Sequence, residues 1–150
     1  MQHFEQEIRQ LKQALLAMAG EAEAAVNQAI KALVDRNNDL AQIAKEHDDV
    51  VDHFEKEVDE QSIQLLAKAP LATDLRLIRA AIKISQNLER VGDEATKIAR
   101  CALDLNTEPQ LKPFLDLPRM ATLALEMLKQ ALDAFVQGQP DEARAIIPRD

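Results

Sequence analysis

The first 69 residues contain no proline and a single glycine, Gly20. A sheet of that length needs tight turns, and turns draw on glycine and proline, so the stretch is confined to long helices. Phe4, Ile8, Leu11, Leu15, Met18, Ala22, Ala25 and Ala29 follow one another at steps of four and three. That spacing is a heptad seam, narrower than the apolar face of an ordinary surface helix. It predicts a first helix over about residues 4–34. Asn37, Asn38 and Asp39 break the pattern and offer capping side chains to a second helix over about 40–67. Its apolar side is expected at Ile43, His47, Val50, Phe54, Val58 and Leu65. Pro70 ends the run, and Thr73 or Asp74 is the expected cap of a third helix that reaches Leu105. Ile78, Ile82, Leu88, Val91, Ala95, Ile98 and Ala102 mark its stripe. Three prolines between Glu108 and Pro118 read as a linker. A fourth helix is expected over about 119–136 and a fifth from near Pro140.

Heptad stripes suit either an extended coiled coil or a compact bundle. The short breaks near residues 37 and 70 favour the bundle, because they fold consecutive helices back on each other. The expected fold is all-α: an antiparallel three-helix bundle, up-down-up like a spectrin repeat, over residues 1–107. An internal repeat extends this organisation. Shifting the chain by 102 residues lays Met18-Ala19 on Met120-Ala121, Gln28-Ala29 on Gln130-Ala131, and Asp39 and Ala41 on Asp141 and Ala143. About 10 of roughly 31 aligned pairs are identical. Residues 117–150 are therefore expected to open a second such unit, left incomplete as though cut short. The fourth helix carries Met120, Leu123, Met127, Leu128, Ala131, Leu132 and Phe135. This face needs cover, and a two-fold dimer is the expected source; docking onto the chain's own first unit is the competing outcome.

Charge narrows the partners. The 26 acidic residues against 18 basic ones give a formal charge of −8 and a pI near 4.9. The summed field repels polyanions, so nucleic acid is not an expected partner. No apolar run approaches the roughly 18 residues of a membrane span, and no transmembrane segment is expected. One cysteine precludes an internal disulfide and suits a cytoplasmic location.

Two carboxylate pairs stand out. Asp48 and Asp52 are four apart on the second helix, and Glu89 and Asp93 four apart on the third. Each pair lies on one helical face. An antiparallel turn centred at Pro70-Leu71 sets Asp52 opposite Glu89 and Asp48 opposite Asp93. Four like charges in one band repel, and a cation neutralises them. Oxygen ligands alone select hard ions such as Mg, Ca, Mn or Fe. Gly92 lies inside the second pair, where close approach justifies its cost to helix propensity. From the residues alone, a metal site and a solvated acidic face paired with Arg90 or Lys56 stand side by side. His47 falls on the apolar stripe and reads as a satisfied core histidine, while His3 and His53 read as surface residues. Cys101 reads as a small buried hydrophobe. No Glu-x-x-His, phosphate loop or zinc spacing occurs.

The run from Ala69 to Ala99, APLATDLRLIRAAIKISQNLERVGDEATKIA, resembles the signature third helix of the PhoU family, which is accessory to bacterial phosphate-specific transport. Its DLRLI opening and LERVGD centre carry the likeness, and DDVVDHFEKEVDE from Asp48 to Glu60 resembles the preceding family segment. The resemblance covers nearly the whole chain. It implies tandem three-helix bundles and a metal-binding Glu-x-x-x-Asp motif, here Glu89 to Asp93, with Asp48 and Asp52 supplied by the second helix. A divalent or trivalent ion is implied, with Mg, Mn, Fe, Ca and Zn all admitted. It further implies a regulator rather than an enzyme. Such a protein links the phosphate transporter's ATPase subunit to a sensor histidine kinase and restrains the phosphate-starvation response. A metal-dependent hydrolase or a plain helical scaffold are the alternatives. The family carries two complete units, so the second motif pair has no counterpart in these 150 residues.

Overall fold

The computed structural model describes residues 2–68 and 70–150, so Ala69, which opens the motif run, lies outside the described residues. Three long helices pack against one another: α1 (Gln2–Asp35), α2 (Asn38–Leu66) and α3 (Ala72–Leu105). A shorter α4 (Asp116–Gln137) and α5 (Pro140–Ile146) follow, and a single 3-10 turn, Ile147–Arg149, comes after α5. No strand occurs among the described residues. The all-α fold and its three-helix bundle are as the periodicity predicts.

The α1–α2 turn is tight because two side chains organise it. Asn37 is extended, and its side-chain oxygen accepts from the Leu40 N–H at 3.1 Å. Arg36 takes a left-handed φ of 54°, which costs a non-glycine residue about 1 kcal/mol or more. Its guanidinium donates to the carbonyl oxygens of Leu105 and Asn106 at 3.4 Å and to that of Glu108. Those carbonyls belong to the end of α3, where intrahelical partners run out. One arginine thus ties the first turn to the far end of the third helix. At the other end of the bundle, Lys68 Nζ pairs with the Glu7 carboxylate at 2.5 Å. The α3 cap differs from expectation. The helix starts at Ala72 behind an extended Leu71, with no side-chain cap. Asp74 sits within the first turn instead, where its charge favours the helix N-terminus through the dipole.

The seams are stricter than the sequence stripes. On α1 the buried line is Ile8, Leu11, Leu15, Met18, Ala22, Ala25, Ala29 and Ala32, close to the prediction. On α3 it is Ile78, Ala81, Ser85, Leu88, Gly92, Ala95, Ala99 and Ala102, with Ile82, Val91 and Ile98 packed at its flanks. The second helix departs most. Its buried residues are Ala41, Ala44, Val51, Val58, Ser62 and Leu65, while Ile43 and Val50 are 46% and 40% exposed. Steps of three and four through the buried set pass through Asp48 and Glu55. The core has two parts. Large side chains such as Leu11, Leu15, Met18, Val51 and Leu88 fill one, and alanines of all three helices fill the other, towards the α1–α2 turn. Cys101 is exposed, contrary to its reading as a buried hydrophobe, because it falls between the seam residues Ala99 and Ala102.

Helix α4 lies against the bundle. Leu125, Leu132 and Ala134 are buried, and Leu128 and Phe135 pack on the large-residue core. Lys12 Nζ donates to the Val136 carbonyl oxygen at 3.2 Å. Docking onto the chain's own first unit, the competing outcome for this helix, therefore covers its inner side. The 102-residue repeat also returns in the backbone. Asp35 and Gln137 end helices, Asn38 and Pro140 begin them, and Arg36 and Gly138 are the two residues of positive φ among the described residues. Each pair is separated by that same interval.

Candidate metal site

Packing in the α2–α3 seam brings the carboxylates together. Val51, one turn after Asp48 and next to Asp52, meets Gly92, which lies between Glu89 and Asp93. A Cβ built on Gly92 would stand 3.2 Å from Val51 Cγ1. The missing side chain lets the two helices close at that level. Thr96, one turn on, donates its hydroxyl to the Gly92 carbonyl at 3.2 Å and so stays satisfied inside the seam.

Asp48, Asp52 and Glu89 each turn one carboxylate oxygen inward, and these oxygens lie within 4.8 Å of one another. Asp93 lies close enough to both Asp48 and Glu89 for its charge to raise their carboxyls. All four acids foreseen from the register thus occupy one band, Asp93 at its edge. Glu55 was missed. It sits one heptad below Asp48 on the α2 seam and borders a cleft of about 500 Å³ that Asp52, Lys56, Asp59, Ile82, Ser85 and Gln86 also line. The signal was available, because a seam drawn through Ala41, Ala44, Val51 and Val58 carries Asp48 and Glu55 with it.

The electrostatics follow from the crowding. Partial burial pushes the Glu89 carboxyl up to about 7, and Asp93, Glu55 and Asp52 add to the shift. Burial likewise raises Asp48, with repulsion from Asp52 and Asp93 behind it. Glu55 is raised by burial and then by Asp52 and Asp59. None of the five carboxylates has a cationic side chain within 4.0 Å among the described residues, so the salt bridges imagined to Arg90 or Lys56 do not form. His47 is not part of the band: its Nε2 meets Glu21 of α1 at 2.9 Å, so it is satisfied as expected, but half-buried rather than in the core.

These residues fit a hard cation. The donor set is all oxygen, and the spacing allows three ligands on one ion. Asp48 Oδ1 is buried without a hydrogen-bond partner, the kind of orphaned acceptor that a cation satisfies. Asp48, Asp52 and Glu89 would hold the ion, with Asp93 oriented beside them.

Known proteins resemble this chain over most of its length. The PhoU domain model matches residues 15–102. A phosphate-specific transport system accessory protein PhoU homolog of Pseudomonas aeruginosa is 37% identical over 99% of this chain and 62% of its own length. The Aquifex aeolicus homolog is 34% identical over 96% and 66%. PhoU of Escherichia coli is 33% identical over 98% and 61%. The chain thus spans roughly three-fifths to two-thirds of the length of these curated relatives. The crystal structure of PhoU from Pseudomonas aeruginosa superposes with a TM-score of 0.88 at 38% identity, covering 95% of this chain and 69% of that one. Sequence and backbone agree over the same helices, and the chain belongs to the PhoU domain family.

Proposed function

We propose that the chain acts as a PhoU-type accessory protein of phosphate-specific transport, a metal-binding adaptor rather than an enzyme. It works in the cytoplasm between the transporter's ATPase subunit and a sensor histidine kinase, and it holds down the phosphate-starvation response when phosphate is plentiful. The observation that carries this reading is the band of Asp48, Asp52, Glu89 and Asp93 across two facing helices. Its setting is a chain whose relatives bear the name of accessory proteins. A cation in that band neutralises the repulsion and draws α2 and α3 into one register, so metal occupancy sets the shape of the surface offered to partners. No helix among the described residues is long and apolar enough to cross a membrane. Leu117, Met120 and Leu123 of α4 remain exposed beyond the docked side. Self-association through them belongs to the same proposal, and sedimentation equilibrium checks it.

The test is expression in a host that lacks its own PhoU, with a phosphate-starvation reporter read in phosphate-rich medium. The wild-type chain lowers the reporter, and it retains the ATPase subunit and the kinase in co-purification with metal present. A reporter left unchanged at full expression, with neither partner retained, contradicts the proposal.

A further inference from the structure

All six basic residues of α3 lie on one line of the helix. Arg76, Arg79, Lys83, Arg90, Lys97 and Arg100 follow at steps of three, four, seven, seven and three. Every one of them is exposed, on the side of α3 turned away from the seam. This runs against the composition, because the chain has a net charge of −8 and the neighbouring α2 is strongly acidic. Among the described residues only Lys97 has a carboxylate partner, Glu94 at 2.9 Å. The other five are not used to balance the acids of their own chain. Where the line begins, Leu71 and Leu75 are 78% and 47% exposed. The face therefore joins an apolar end to a cationic ridge.

We infer that the outward face of α3, from Leu71 to Arg100, docks an acidic α-helix of a partner protein. Charges repeating every two turns are matched by carboxylates at the same spacing on a facing helix, the pairing that sets partner choice at helix–helix contacts. The leucines supply the apolar anchor that charge alone lacks, since exposed ion pairs contribute little net affinity. A single helix is about 10 Å wide and fits the ridge. A membrane or a duplex is broader and would bring its phosphates over the acids of α2 as well, where like charges repel. Asp93 stands on the same line between Arg90 and Lys97, so the ridge borders the metal band there, and the inference does not depend on which partners the adaptor joins.

The test uses a labelled synthetic helix carrying glutamates at heptad spacing and two leucines, with its glutamine counterpart as control. Binding to the full chain is read by fluorescence anisotropy at low salt, beside anionic phosphatidylserine vesicles and duplex DNA. The glutamate helix binds at least about tenfold more tightly than the glutamine helix, and added salt weakens it. The triple variant Arg76→Gln/Arg79→Gln/Lys83→Gln loses that preference, while Arg76→Lys/Arg79→Lys keeps it. Equal binding of the two helices, a triple variant that binds like wild type, or tighter binding to vesicles or duplex overturns the inference.

Discussion

Gly92 is the residue on which the approach of α2 and α3 turns. Alanine there gains about 1 kcal/mol of helix propensity, but its methyl meets Val51 at 3.2 Å in a fully buried position. Gly92→Ala and Val51→Ala should therefore couple. Each alone disturbs the fit, and together they exchange the two Val51 methyls for one methyl on the facing helix. In a double-mutant cycle by urea denaturation, the pair is expected to be more stable than the sum of the singles by about 0.5–3 kcal/mol. Additive losses would mean that the contact does not limit the helices' approach. The acids give a pH dependence of unusual sign. Glu89 is raised from 4.5 to about 7, so the native state of the metal-free protein holds a proton that the unfolded chain gives up. Stability from this group is fully present below pH 4.5 and is lost as pH rises through 7. Asp48 and Glu55 act in the same direction. Thermal melts of the metal-free protein should be higher at pH 5 than at pH 8, and Glu89→Gln should shrink the difference. A higher melting temperature at pH 8 would show that the repulsion is relieved without metal.

At the scale of elements, α4 is the part held least firmly. Its contacts with the bundle rest on Leu125, Leu132, Leu128 and Phe135, whereas α1, α2 and α3 share seams along their whole length. Leu132→Lys removes a buried anchor worth roughly 1.5–3 kcal/mol and puts a charge in its place. Hydrogen exchange is expected to show amides of α4 losing protection while α1–α3 keep theirs. Loss of protection throughout would mean that the fourth helix is integral to the core. The elements also show what could be read in advance. The α1 seam was legible because large and small apolar residues fall on it without interruption. On α2 the true seam includes Asp48 and Glu55, so the large apolar residues mark the neighbouring line through Ile43 and Val50 instead. On α3 the seam is held by Ala81, Ser85, Gly92 and Ala99, small residues that permit close packing, and the larger Ile82, Val91 and Ile98 drew attention to the flank. The four acids were still found, because their pairing depends on antiparallel register and the turn position, which Pro70 marks. Glu55 was lost with the misplaced seam.

Across the whole molecule, an acidic chain places five of its carboxylates where Gly92 lets two helices close, and among the described residues these five have no cationic partner. Such an arrangement is destabilising without a cation, so the proposed metal binding would couple to folding stability. A ligand that binds only the native state at one hundred times its dissociation constant adds about 2.7 kcal/mol. Removing the band should therefore have opposite effects with and without metal. The direct measurement is the melting temperature of the wild-type chain and of Asp48→Asn/Asp93→Asn at pH 8, with chelator and with millimolar Mg, Mn, Fe, Ca or Zn. The expected result is that at least one ion raises the wild-type melting temperature, while the variant melts higher than wild type in chelator and does not respond to that ion. A wild-type melting temperature indifferent to every ion, or a variant that responds as wild type does, would contradict a metal site at these carboxylates.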